Sequence, residues 1–193
     1  MDIRSYGLNT LDDGGLNTVE KIINDSKLIW NTAQIEQDDR KHVVDIKVRA
    51  CKTCFLSNKK LDKLFRKMIS DYNTHYSGWN YDLSFIEPIQ LTHYYEGDFY
   101  DWHTDTLNSH NDKQKKHTRK VSATVFLNDP DEYEGGELDI EIEGPKKDPR
   151  YETFKLHKGS IVVFPSRMWH RVRPVTSGVR KSLILWIQGP SFR

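Results

Sequence analysis

The sequence is poor in cysteine, with Cys51 and Cys54 as its only thiols. A pair with this spacing can form a redox motif ahead of a helix or half of a structural zinc site, but the surrounding residues match neither context. We therefore expect two free thiols, with a regulatory disulfide as the alternative. Free thiols are typical of a reducing compartment, so the cysteines favour the cytoplasm.

Long apolar runs are absent as well. Nowhere are 18 consecutive residues apolar, and the first nine residues contain no basic segment followed by an apolar one. Neither a membrane-spanning helix nor a secretory signal is expected. The sequence therefore predicts a soluble protein without a membrane partner.

Neither sign of charge is in excess, because 29 Lys and Arg residues face 28 Asp and Glu residues, for a net charge of +1. Without a strong overall field, nucleic acid is not an expected partner, and a protein, peptide or small-molecule substrate is favoured. Internal repeats, low-complexity tracts and linkers are also lacking. With 193 residues, 36% of them hydrophobic, we predict one domain over residues 1–193.

Helical signals lie in the first eighty residues. Six apolar residues recur at helical spacing and predict a helix over residues 58–73: Leu61, Leu64, Phe65, Met68, Ile69 and Tyr72. An earlier helix is predicted over residues 18–26, with Asn17 as its cap. Residues 42–50 alternate like a strand.

Strand signals dominate after Pro88. Turn residues divide this part into eight predicted strands, at 89–95, 100–105, 119–127, 137–142, 153–156, 161–164, 171–175 and 181–187. Eight short strands suit a double-sheet jelly roll, also called a double-stranded β-helix. We predict an α+β, mainly β fold in which residues 1–80 support a jelly-roll core in residues 81–193.

A candidate metal site lies in the triplet His103-Thr104-Asp105. Alternate residues of a strand point to one face, about 6 to 7 Å apart, so His103 and Asp105 can reach one ion. A neighbouring strand carrying His170 would complete a triad of two histidines and one carboxylate. That triad suits Fe(II) and leaves positions open for reactants.

Arg180 extends this site. An open iron site needs electrons, which a chelating 2-oxo acid can supply, and a guanidinium presents a planar fork to the far carboxylate of such an acid. Strand alternation places the Ser182 hydroxyl beside Arg180. Tyr94, nine residues before His103, could donate a phenolic hydrogen bond to the same carboxylate from the other side of a barrel.

These residues and their order resemble the iron(II)/2-oxoglutarate dioxygenases, most closely the prolyl 4-hydroxylase-like and PKHD-type hydroxylases. The resemblance covers roughly residues 80–190 and rests on 94–105, 119–122, 133–138, 164–166, His170 and 174–180. It implies iron at His103, Asp105 and His170, with 2-oxoglutarate held by Tyr94 and Arg180. It further implies O2 as a reactant and ascorbate as an accessory reductant.

The resemblance also implies a reaction. In it, 2-oxoglutarate is decarboxylated to succinate and CO2 while an unactivated C–H bond is hydroxylated. An iron halogenase of this kind would carry a small residue in place of Asp105, so hydroxylation is favoured. By the same resemblance Trp186 lines the pocket, and we assign Tyr100 and Trp102 to the substrate pocket as well.

A peptidyl proline is the substrate that the resemblance favours. Collagen-type prolyl hydroxylases usually have lysine where Arg180 stands, whereas the PKHD-type group has arginine. A free amino acid, another small molecule or a nucleobase therefore stays open. A third hypothesis is a non-catalytic jelly-roll binding module in which the three metal ligands hold a structural ion.

Two polar loops are candidates for substrate recognition. Residues 106–118 follow Asp105 directly and contain Lys113, Lys115 and Lys116, so they could act as a lid or bind an acidic group. His110 in this loop is close enough in sequence to Asp105 to touch substrate. Residues 144–150 form a second basic loop.

Overall fold

The computed structural model describes residues 6–37, 41–106, 117–142 and 150–191. Helix α1 covers Asp13–Asp25, and the Asp12 side chain caps it by accepting a hydrogen bond from the Gly15 N–H. Helix α2 covers Lys59–Asp71, capped by Asn58, and continues into a π-helical turn over Tyr72–Tyr76. The predicted helix at 58–73 is confirmed.

The prediction for the first helix was wrong at its N-terminus, because the helix begins at Asp13 and not at Thr18. Gly14 and Gly15 are poor helix formers, so residues 13–17 carry no strong helix signal. However, the Asp12 carboxylate satisfies a free N–H of the first turn at 2.7 Å. A Cβ on Gly15 would also lie only 3.0 Å from that carboxylate and 3.3 Å from Leu11, so a glycine is suited to this position.

The described residues form seventeen strands. They are β1 Gly7–Thr10, β2 Asn31–Thr32, β3 Ile35–Gln37, β4 Lys41–Val43, β5 Arg49–Ala50, β6 Lys52–Leu56, β7 Phe85–Ile86, β8 Ile89–Tyr94, β9 Phe99–His103, β10 His117–Phe126, β11 Tyr133–Gly135, β12 Leu138–Glu141, β13 Tyr151–Phe154, β14 Ser160–Pro165, β15 His170–Val172, β16 Val175–Gly178 and β17 Arg180–Pro190. Every strand predicted after Pro88 is present, although the one predicted at 171–175 is divided between β15 and β16.

The single strand predicted over residues 42–50 was wrong. Its ends belong to β4 and β5, which lie in different sheets. Asp45 makes a turn between them, because its carboxylate accepts from the Lys47 N–H at 3.0 Å and its carbonyl accepts from the Arg49 N–H at 2.9 Å. A side chain that binds its own backbone two residues on is a strong turn signal.

Two antiparallel sheets face each other as the predicted jelly roll. The large sheet has the order β1-β14-β10-β17-β8-β6-β2, with β7 also on β17, and the small sheet has the order β13-β12-β15-β9-β5. The N-terminal segment thus contributes strands to both sheets. Within the described ranges, no helix is both long and apolar enough to cross a membrane.

The large sheet has two packed faces, because alternate residues of its strands point in opposite directions. One face packs against the helices and forms the helix-side core, which includes Phe65, Val121 and Leu183. The other face looks toward the small sheet and forms the inter-sheet core, which includes Phe126 and Phe164 of the large sheet and Ile140 of the small one. The candidate site lies at this second core.

Candidate active site

The structure brings the three predicted metal ligands together. His103 at the end of β9 is the register partner of His170 at the start of β15. Asp105 lies between the two rings, with its carboxylate oxygens 3.8 Å from Nε2 of His103 and 3.4 Å from Nε2 of His170. One ligand atom from each residue falls within 4.8 Å of the others.

Asp105 itself lies beyond the strand. Strand β9 ends at His103, so regular pairing does not place the carboxylate. The backbone N–H of Asp105 instead donates to the Ser166 carbonyl at 2.9 Å, just after β14. The Thr106 hydroxyl donates to the same carbonyl at 3.1 Å. These tertiary hydrogen bonds orient the third ligand.

Both histidines have the tautomer that metal binding requires. Nδ1 of His103 donates to the Asp101 carbonyl at 2.8 Å, and Nδ1 of His170 donates to the Met168 carbonyl at 3.0 Å. A carbonyl only accepts, so Nδ1 carries a proton in both rings, and Nε2 is the ring nitrogen left to face Asp105 and a metal.

The electrostatics of the triad also suit a cation. Burial lowers the pKa of His103 well below its ordinary value, and the nearby His170 lowers it further. Burial would raise the pKa of Asp105, but the charge and hydrogen bond of His170 outweigh burial and hold this pKa below its ordinary value. The neutral imidazole of His103 and the ionised carboxylate of Asp105 are the forms that bind a divalent metal.

Arg180 is a buried cation without an anionic partner among the described residues. Its side chain is 1% exposed, and Nη1 donates to the Ser182 hydroxyl at 2.9 Å. Nε and Nη2 are buried, and no described residue forms a hydrogen bond with them. Because burying an unpaired charge is costly, this guanidinium is built to receive an anion.

Tyr94 lies beside Arg180, which corrects the prediction that it reaches the anion from the other side of a barrel. The two residues are register partners on the adjacent strands β8 and β17. The guanidinium carbon is 5.4 Å from the centre of the Tyr94 ring and 5.4 Å from that of Phe126. Burial raises the pKa of Tyr94 above its ordinary value, so the phenol keeps its proton.

Comparison with known proteins identifies the family. Residues 89–188 match the family model described as the 2OG-Fe(II) oxygenase superfamily. The chain belongs to this superfamily. Membership implies Fe(II), 2-oxoglutarate and O2, and the chain has side chains that fit them. Two imidazoles and a carboxylate suit iron, and the unpaired donors of Arg180 suit a carboxylate.

The chain is similar to proteins described as hydroxylases. A PKHD-type hydroxylase of Teredinibacter turnerae is 38% identical over 103 residues, which cover 53% of this chain and 43% of that protein. The chain therefore spans less than half the length of the curated relative. A Pseudomonas putida prolyl-4-hydroxylase shares the fold, with a TM-score of 0.69, 18% identity and coverage of 97% of this chain and 94% of its own.

A third relative is a Trichoplax adhaerens prolyl hydroxylase in complex with a peptide fragment of hypoxia inducible factor. Its TM-score is 0.67, its identity is 18%, and the match covers 95% of this chain and 83% of that chain. At this identity the two solved structures establish the double-stranded β-helix fold of the oxygenase.

Trp186 is on the Arg180 face of β17, as predicted, and belongs to a network that the sequence analysis missed. Arg119 lies 3.8 Å over its ring and forms two hydrogen bonds with Glu87, at 2.7 and 2.6 Å. Gln188 donates to the same carboxylate at 2.7 Å. The indole Nε1 of Trp186 is buried and has no partner in the described ranges.

Tyr100 contacts the metal triad directly, because its ring stacks on His103 with centroids 3.4 Å apart and planes 13° apart. Behind it lies Arg49, another residue that the sequence analysis missed, 4.6 Å from the Tyr100 ring centre. Arg49 is buried, and it donates through Nη1 to the Gln34 carbonyl at 3.2 Å. Its Nε has no partner in the described part of the chain.

The structure does not bring Trp102, which the sequence analysis assigned to the substrate pocket, to the metal triad. It packs against Tyr151 at 5.8 Å and lies under Arg171 at 4.8 Å. This is the outer face of the small sheet, where a pocket of about 290 Å³ is lined by Trp102, Glu141, Arg150, Tyr151 and Trp169. Trp102 adjoins His103, so strand alternation turns it away.

The remaining predictions concern the cysteines and the loops. Cys51 and Cys54 are free and buried, as predicted. Of the proposed lid at 106–118, residues 107–116, including His110, lie outside the described residues of the oxygenase, as do residues 144–149 of the second loop.

Proposed function

We propose that the chain is a hydroxylase that acts on an unactivated C–H bond, with a peptidyl proline as substrate. In this reaction one oxygen atom of O2 enters the substrate and the other enters succinate, as 2-oxoglutarate loses CO2. One observation carries the proposal. The triad of His103, Asp105 and His170 and the unpaired guanidinium of Arg180 both adjoin the inter-sheet core, at Phe164 and at Phe126.

In this proposal the triad holds iron through Nε2 of each histidine and the carboxylate of Asp105. Iron, when bound, supplies the activation of dioxygen. The protein keeps the ligands ready, because the carbonyls of Asp101 and Met168 hold both imidazoles in one tautomer and orientation. The ring of Phe164, 4.8 Å from that of His170, adds an apolar wall that limits access of water.

Arg180 binds the far carboxylate of 2-oxoglutarate in this proposal. The Ser182 hydroxyl accepts from Nη1 and thereby orients the fork, leaving Nε and Nη2 for the ligand. Tyr94 and Phe126 flank the guanidinium on the same face. Tyr100 and Trp186 are the aromatic residues that we assign to the substrate pocket, and Arg119 and Glu87 hold Trp186 in place.

A proline in a peptide is supported by two solved structures that share the fold, a prolyl-4-hydroxylase and a prolyl hydroxylase in complex with a peptide fragment. A second candidate is the same reaction on a small molecule with a free carboxylate, such as an amino acid. Arg49 favours it, because this buried cation has an unpaired Nε near the triad. The free thiols support a cytoplasmic location, and we include ascorbate as an accessory reductant.

The first experiment adds Fe(II) and 2-oxoglutarate to the protein without oxygen. A chelated 2-oxo acid on iron absorbs visible light by charge transfer, so the parent should develop a visible band and His103→Ala should not. Succinate release with proline peptides and with free amino acids then separates the two substrate classes. A well-folded parent without the band would instead favour a non-catalytic module with a structural metal.

A further inference from the structure

Tyr133 is a buried residue for which the proposed function has no role. It begins β11, and its register partner on β16 is Gly178, two residues before Arg180. The side chain is 3% exposed. Its hydroxyl is buried and has no hydrogen-bond partner in the described residues. Such a group is expensive to bury unless something binds it.

The tyrosine and Arg180 converge on one glycine. A Cβ built on Gly136 would lie 3.0 Å from Cδ of Arg180 and 3.3 Å from Cε2 of Tyr133. Any larger residue at 136 would therefore separate or displace the two side chains. The electrostatics place the two groups together, since burial raises the pKa of Tyr133 while the charge of Arg180 and the approach of its guanidinium to the phenol oxygen oppose that rise.

The other side of the Tyr133 ring is occupied. Nζ of Lys155 lies 4.6 Å from the ring centre and donates to the Tyr133 carbonyl at 2.8 Å. Both contacts hold the tyrosine in place. Lys155 therefore fixes the ring, and its ammonium has the Tyr133 carbonyl as its own acceptor.

The chemistry of the unpaired atoms defines the missing ligand. Nε and Nη2 of Arg180 can only donate, and a neutral phenol has one proton to donate. All three donors need acceptors at one place beside a positive charge. A carboxylate offers two oxygens, several lone pairs and the opposite charge.

We propose that Tyr133 donates its phenolic hydrogen bond to the far carboxylate of 2-oxoglutarate, together with Arg180. This inference rests on the proposed function and extends it. It makes Tyr133 a residue that selects 2-oxo acids with a second carboxylate over those without one. Gly136 is then the position that lets the tyrosine and the arginine share one ligand.

The test compares two co-substrates in three proteins. 2-Oxoglutarate and 2-oxobutyrate share the chelating 2-oxo acid group, but only the first has a second carboxylate. Each is titrated without oxygen into the Fe(II)-loaded parent, Tyr133→Phe and the control Tyr76→Phe, which loses an exposed phenol from the π-helical turn. Calorimetry and the visible band report the affinity.

We expect Tyr133→Phe to weaken 2-oxoglutarate by about 10-fold to 100-fold, the range for one hydrogen bond to a charged group. Affinity for 2-oxobutyrate should change less than about twofold. Tyr76→Phe should leave both unchanged. Equal weakening of both acids in Tyr133→Phe, or no weakening of either, would overturn the inference.

A melting experiment on the ligand-free proteins gives an independent test. Removing a hydroxyl that is buried without a partner should leave the melting temperature of Tyr133→Phe equal to that of the parent or higher. A lower melting temperature would show that the hydroxyl has a partner inside the protein, and would count against the inference.

Arg180→Lys separates the two proposals. If the parent binds 2-oxoglutarate and Arg180→Lys binds it with the same affinity, the role that the proposed function gives to Arg180 is wrong.

Discussion

The two faces of the large sheet differ in the polar atoms that they bury. The helix-side core is apolar, with Val121, Leu183 and Phe65 all fully buried. The inter-sheet core has apolar residues too, but the buried unpaired donors of the described residues lie within or beside it. They belong to Arg49, Tyr133, Arg180 and Trp186.

The two faces therefore differ in their contributions to stability and to ligand binding. Each buried donor without a partner costs about 1 to 3 kcal/mol, so several of them together weaken the ligand-free protein. The helix-side core contributes apolar burial without that cost. The unpaired donors of the described residues therefore reduce the stability of the inter-sheet side until ligands supply the missing acceptors.

The largest expected effect separates function from folding. Asp105→Ala should lose bound iron and all measurable hydroxylation, because two histidines alone leave the site short of an anionic ligand. The melting temperature of the ligand-free protein should stay close to that of the parent. Iron content, succinate release and thermal melting check this. Asp131→Ala, which removes an exposed turn carboxylate, is the control. Activity retained in Asp105→Ala would place the carboxylate ligand elsewhere.

The opposite variant is Phe65→Ala on the helix side. Its side chain is 0% exposed, so truncation should lower the free energy of unfolding by about 3 to 5 kcal/mol. The affinity of the folded protein for 2-oxoglutarate should not change. Chemical denaturation and calorimetry measure the two quantities. Phe55→Ala, at an exposed phenylalanine of β6, should cost less than about 1 kcal/mol. A large loss of co-substrate affinity in Phe65→Ala would mean that the two faces are coupled.

Arg180→Lys sharpens the comparison within the inter-sheet side. A lysine replaces a planar fork by a point charge, so binding of 2-oxoglutarate should weaken by about 10-fold to 100-fold. Iron content should be unchanged, since Arg180 does not touch the triad in this proposal. Arg66→Lys on α2 is a matched control, because that side chain is exposed. Unchanged co-substrate affinity in Arg180→Lys would remove the arginine from its proposed role.

The smallest expected effect is a pH dependence of stability that arises from His93 on the helix-side face. Burial lowers the pKa of His93 to about 4, with a further contribution from Lys181, and its ring is 4.2 Å from that of Trp30. The unfolded chain takes up this proton near pH 6.5 and the folded chain only near pH 4, so stability falls as the pH falls between these values. The loss should be about 1 to 2 kcal/mol, because solvent screens this half-buried site. Denaturation at pH 7 and pH 5 should show less pH dependence in His93→Gln. An equal dependence in both proteins would contradict the assignment.

Short-range patterns predicted much of the fold and of the site. Strand alternation correctly paired Arg180 with Ser182, and the helical spacing of apolar residues predicted α2. The same alternation places Trp102, which adjoins His103, on the opposite strand face, away from the triad. The cap of α1 and the turn at Asp45 were missed because each depends on a single side chain that binds nearby backbone.

These local patterns could not predict contacts between residues that are far apart in the sequence. Arg119 and Glu87 are 32 residues apart, and Tyr133 and Arg180 are 47 apart, so only the packing of strands brings them together. Nothing in the local sequence of Arg49 separates it from a surface arginine.

By itself, the sequence determined which residues share a strand face, because side-chain direction follows from the backbone period. That period was enough to pair Arg180 with Ser182 and to predict the jelly roll, whereas Asp105 lies beyond β9 and is oriented by the Ser166 carbonyl. Only the tertiary structure decided which faces meet and which buried donors find no acceptor, because both depend on the register between strands far apart in the chain. The unpaired atoms of Tyr133 and Arg180 are the result of that register.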